Sequence, residues 1–92
     1  MNWFVIYPQK NKEIIKQEFD KLQLKDFEVG VIIIDAADEY VEFVNKNLKY
    51  TGHINTSSVE NLLDTIESMG GVDDDDLYVL KNGKITHKKV KF

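Results

Sequence analysis

Glu28-Val29-Gly30-Val31-Ile32-Ile33-Ile34-Asp35 is the stretch that decides how this 92-residue chain folds. No polar residue alternates with the β-branched run, so the strand it predicts is covered on both faces, as strands in parallel sheets usually are. Upstream, Trp3 to Tyr7 is a second bulky run, ended by Pro8, and predicts another buried strand. Between the two, Ile15, Phe19 and Leu22 fall at i, i+4 and i+7 among charged residues, which predicts a helix from Asn11 to about Leu24. Strand, helix and strand make a βαβ unit, whose crossover is right-handed by rule.

Downstream, Ala37, Tyr40, Val41, Val44 and Leu48 share one helical face, with Gly52 just beyond as a stop. Ser57 and Glu60 have the S-x-x-E spacing of a capping box. Val59, Leu62, Leu63, Ile66 and Met69 follow at core spacing, and Gly70–Gly71 ends that helix. Leu77 to Lys81 and Lys84 to Phe92 flank Asn82–Gly83, the strongest short hairpin signal. The order is therefore β-α-β-α-α-β-β, a single domain over residues 1–92. It predicts the α/β class (α+β being the neighbouring alternative), with a mixed four-stranded sheet, helices packed on it and a C-terminal β-hairpin.

Composition narrows the chemistry. Hydrophobic residues are 42% and charged residues 30% of the chain, which suits one core and is too apolar for disorder. The absence of cysteine excludes a disulfide scaffold, a redox pair, a thiol nucleophile and cysteine-based metal sites. The longest apolar run, Val31 to Ile34, falls far short of the ~20 residues of a membrane span. No basic start or small-residue cleavage site marks a signal peptide, so the expected location is the cytoplasm. His53 and His87 lack further ligands at metal spacing, and His87 is expected opposite Tyr78 as a packed, hydrogen-bonded ring. Ser57 and Ser58 read as capping residues without a base, and no glycine-rich phosphate loop opens a helix. The expectation is a non-enzyme without metal or cofactor.

What remains is a charge pattern. The formal net charge of −4 comes from 12 lysines and 16 acids. Residues 1–28 are balanced, residues 29–80 carry eleven acids against Lys46 and Lys49, and residues 81–92 carry five lysines and no acid. Asp35, Asp38, Glu39 and Glu42 fall within an arc of about 100° on the predicted second helix, opposite its apolar face. They cover about 10.5 Å of helix axis. Duplex DNA carries one charge per about 1.7 Å, a density of similar scale. Glu60, Asp64 and Glu67 repeat the row on the next helix, and Asp73, Asp74, Asp75 and Asp76 follow it. Favourable placement near a helix N-terminus explains Asp35 and Asp38, but not Glu67 or the aspartates after it. Four contiguous aspartates lack the alternate spacing of a calcium loop. Lys88, Lys89 and Lys91 suit an edge strand that resists sheet-to-sheet aggregation, and pairing with the acidic face of a second copy is another use for them.

Two resemblances accompany this pattern. Leu77-Tyr78-Val79-Leu80-Lys81-Asn82-Gly83-Lys84 looks like the late hairpin of thioredoxin-like domains. The cysteine pair and the proline before the strand are missing, so that resemblance implies a redox-dead adaptor that binds a protein segment in an apolar groove, with exposed aromatics such as Trp3 or Tyr50. The short, cysteine-free, Lys-, Asn-, Asp- and Ile-rich chain with its acidic rows resembles the Arn-type anti-restriction DNA-mimic proteins of T-even bacteriophages. That resemblance implies an inhibitor in the host cytoplasm whose eleven acids stand in for phosphates. It would compete with DNA for host DNA-binding proteins such as restriction nucleases or nucleoid proteins. The basic tail must then be turned away or buried in a homodimer contact. A toxin-neutralising immunity protein would share the acidic face. Direct nucleic-acid binding is not expected, because the acidic segment repels phosphates and arginine is absent. Mimicry requires the acids of two helices and the following loop to share one side of the molecule.

Overall fold

The computed structural model describes residues 1–25, 28–49 and 54–92, with the side chains of residues 54–56 left out; Tyr50, Gly52 and His53 lie outside the described residues. The elements are β1 (Asn2–Ile6), α1 (Glu13–Leu22), β2 (Val29–Ile34), α2 (Asp38–Asn47), β3 (Ile54–Ser57), a 3-10 turn (Val59–Asn61), α3 (Leu62–Ser68), β4 (Asp76–Lys81) and β5 (Lys84–Lys89). The four expected strands lie in the order β2-β1-β4-β5, and β3 extends the sheet beyond β2. β1, β2, β3 and β4 are mutually parallel, and β5 returns antiparallel to β4. This is an α/β fold with a mixed sheet and a C-terminal hairpin.

The decisive run behaves as its composition demands. All six residues of β2 are buried, because β1 and β3 flank it and helices cover both of its faces. Gly30 is the exception to its β-branched neighbours for a steric reason. It faces Trp3 across the β1–β2 pairing, and a Cβ there would come within 2.3 Å of the indole ring. The missing side chain is what lets the large ring lie flat on the sheet. Asn82 and Gly83 both take positive φ, +52° and +75°, as the two-residue hairpin turn requires.

Alternation along the strands divides the core into two layers. Phe4, Ile6, Val31 and Ile33 pack against Ile15 and Phe19 of α1 and Val44 of α2. Trp3, Val5, Ile32 and Ile34 pack against Ile66 of α3. Helices α1 and α2 therefore cover one face of the sheet, and α3 alone covers the other. The cause is a reversal of direction in the chain. α1 and α2 carry it outward from β1 to β2 to β3, whereas α3 carries it back across the sheet to β4. With right-handed crossovers, opposite directions of travel use opposite faces.

Two local expectations need correction. The second helix begins at Asp38, and Asp35 precedes it with φ +48° while its N–H bonds Ser57 carbonyl at 2.9 Å. The capping box does not form either: Ser57 ends β3, and its hydroxyl bonds the Ser58 carbonyl and Thr65 Oγ1. Ser58 starts the 3-10 turn without a side-chain cap. Strand pairing has claimed the residues that local spacing assigned to a helix start.

Candidate functional site

In an open α/β sheet the default ligand crevice lies where chain direction switches, beyond the C-terminal ends of the adjoining strands. Here that is the gap between β1 and β4. Gln9 lines it. Its Nε2 donates to the carbonyls of Tyr7 (2.7 Å) and Leu80 (3.4 Å), and its Oε1 accepts from the Gly83 N–H (3.0 Å). Tyr40 hydroxyl donates to the Gln9 carbonyl at 2.8 Å. A buried amide satisfied at both ends stitches β1 to the hairpin and fixes one wall of that cavity.

The acidic rows do not form one surface. Asp38, Glu39 and Glu42 are exposed on α2, outside one face of the sheet, and Glu60, Asp64 and Glu67 are exposed around α3, outside the other. Asp35 is exposed at the end of β2, and Glu39 lies 3.8 Å from Lys12. This corrects the common-side arrangement that mimicry requires.

Nor is the aspartate run a solvated cluster. Asp75 is buried, at 8% exposure, and its carboxylate accepts from Trp3 Nε1 (3.0 Å), Val72 N–H (3.0 Å) and the Met1 amino group (3.2 Å). Burial pushes its pKa up, but the indole, amide and ammonium donors together outweigh that and hold it below the ordinary carboxylate value. Asp76 accepts from Lys89 at 2.7 Å and lies 2.8 Å from His87 Nε2, and those two contacts lower its pKa. Asp74 pairs with Lys91, which lowers its pKa and raises that of the lysine. Asp73 accepts the Phe92 N–H at 2.9 Å. Two of the five tail lysines thus pair with aspartates of the run, because β5 brings the basic tail back alongside the acids. His87 stacks on Tyr78 with ring centres 4.5 Å apart. Among the described residues no group of three or more His, Cys, Asp or Glu is placed to hold a metal ion.

The tail's remaining lysines do something else. Cross-strand partners share a face, and the pairs Leu77–Lys88, Val79–Thr86 and Lys81–Lys84 put all three lysines on the side covered only by α3. Lys81, Lys84 and Lys88 are exposed and have no carboxylate partner among the described residues. Lys81 Nζ sits 5.0 Å from the centre of the Tyr7 ring, a cation–π contact. Lys81 and Lys84 stand directly opposite each other, a like-charge pairing that opposes sheet formation. α3 spans only seven residues, too short to reach over the hairpin. A groove results between α3 and β5, with Tyr7, Leu77 and Val90 along it. On its α3 bank, Val59 (52% exposed) and Leu63 (44%) stand open to solvent, against the expectation that both join the core.

Sequence reasoning noticed the tail lysines but grouped Lys88 with Lys89 and Lys91. Strand alternation separates them: even-numbered residues of β5 share the open face, while Lys89 and His87 turn to the other side and bind Asp76. That signal was available once the hairpin turn was placed. The chain matches no protein-family model, and no curated protein or solved structure matches it significantly.

Proposed function

We propose that the chain is a non-catalytic binding module that takes an acidic segment of a partner protein on the open face of β4 and β5 and the adjoining bank of α3. The observation that carries this reading is the set of three exposed lysines without a carboxylate partner, Lys81, Lys84 and Lys88, on one face, of which Lys88 lines the groove that exposed Val59 and Leu63 also line. Incoming carboxylates would relieve the Lys81–Lys84 repulsion, and apolar side chains of the same segment would cover the two aliphatic residues. Glu60 of the 3-10 turn lines the same groove and repels any anion there, so the segment's carboxylates belong over the lysines of β4 and β5 and its apolar side chains over the α3 bank; a continuous phosphate backbone cannot divide itself in that way, and lysines without arginine give no base-reading fork. This reading keeps the protein-segment binding of the adaptor expectation and makes it electrostatic.

The test is a titration of the labelled protein with a synthetic peptide of interleaved glutamate and leucine, followed by NMR. Shifts should map to β5 and the α3 bank. Affinity should fall about tenfold from low to physiological salt, because exposed charges are screened beyond ~8–10 Å. The variant K81E/K84E/K88E should lose binding; unchanged affinity in a folded variant refutes the proposal.

The DNA-mimic reading survives only in a narrower form. It rests on the row of Asp35, Asp38, Glu39 and Glu42, of which Asp35, Asp38 and Glu42 have no cationic partner among the described residues. Competition with duplex DNA for a basic protein, abolished by D38K/E42K, would favour it.

A further inference from the structure

We infer that the acidic segment docks as a sixth strand, hydrogen-bonded along the free edge of β5; this rests on the binding role proposed above and specifies its geometry. β5 ends the sheet, so among the described residues one side of its backbone has no neighbouring strand. The two-residue turn at Asn82–Gly83 makes Lys81 and Lys84 a hydrogen-bonded pair, and every second residue after Lys84 also turns its backbone toward β4. The N–H and C=O groups of Ile85, His87 and Lys89 therefore point outward. They form a row of donors and acceptors that an extended chain can complete.

Charge decides which chain. A second copy of β5 would bring lysines against lysines, so self-pairing is repelled, whereas an acidic strand is attracted by the same residues. The two sides of the edge are not equivalent. On the α1 side His87 and Lys89 already hold Asp76, and Ile85 is apolar. On the α3 side Lys84 and Lys88 stand free, about 13–14 Å apart at ~3.4 Å per residue. The ligand is thus an extended segment with carboxylates at alternate positions, two or four residues apart, whose other side is neutral.

A capped heptapeptide of alternating glutamate and threonine tests this by backbone amide hydrogen exchange. Exchange at Ile85, His87 and Lys89 should slow at least tenfold in its presence, with Lys88 unchanged because its amide is already committed to β4. The same peptide with alternate backbone nitrogens methylated keeps its charge but cannot pair, and should bind at least tenfold more weakly. Binding of both peptides with perturbed lysines and no protection would overturn strand docking and leave the binding role standing. Binding of neither peptide, or equal occupation of the face by oligothymidylate of the same charge, would overturn both.

Discussion

Asp75 carries more of the fold than its position inside a run of four aspartates suggests. Its carboxylate takes the only indole proton in the chain and the Val72 amide, so it ties β1 to the loop before β4. Asp75→Ala should cost about 2–3 kcal/mol, since it strands buried donors. For a domain of this size that lowers the melting temperature by on the order of 10–20 °C in a thermal scan. The pH dependence follows from the direction of the shifts. Asp75, Asp76 and Asp74 all titrate below their ordinary value, so their contribution is complete above an unfolded pKa of about 3.9 and fades as pH falls through the lower folded values. Denaturation midpoints should be level from pH 7 to 5 and drop below about pH 4, with a shallower drop in Asp75→Asn. Gly30→Ala should cost about 1–3 kcal/mol by urea denaturation, because the indole has nowhere to retreat. The need for small residues beside a tryptophan is legible once the two strands are paired. The burial of one aspartate among four is not, because its environment is set by a residue 72 positions away.

The elements were read with uneven success, for physical reasons. β1, β2, α1 and the hairpin follow from local pattern: unbroken β-branched runs, a 3.6-residue apolar period and an Asn-Gly turn that tolerates positive φ. Residues 54–57 were not read as a strand, since Asn55, Thr56 and Ser57 carry no apolar alternation and an edge strand of four residues needs little. Missing β3 moved the start of the next helix forward and put Val59 and Leu63 in its core. In the fold only Ile66 of α3 is fully buried. Ile66→Ala should therefore cost about 2–4 kcal/mol. Leu63→Gln should change stability by less than about 0.5 kcal/mol while weakening capture of an acidic peptide by removing an apolar contact. Chemical denaturation of the two variants separates these roles. Equal destabilisation by both would mean that Leu63 is packed and the α3 bank is closed.

At the scale of the molecule, the same missing strand explains why the acidic rows were expected together. With four strands, element order alone leaves open whether two successive helices share a side. With β3 between them they belong to crossovers running in opposite directions, and their charges face away from each other. Fold class was legible from element order, whereas surface charge was not, because it depends on which face each crossover takes. Reversing Asp38 and Glu42 should accordingly leave capture of an acidic peptide unchanged within about twofold, or strengthen it through weaker long-range repulsion, when measured at physiological salt. A large loss from that variant would place the functional surface on α2. Gln9 sharpens the point. An architecture of this kind has one natural berth for a small guest, and here the chain's own amide is moored along one wall of it. Trading that residue for alanine should take this partner from the Tyr7 carbonyl and the Gly83 N–H and loosen the hairpin's seat on its neighbour.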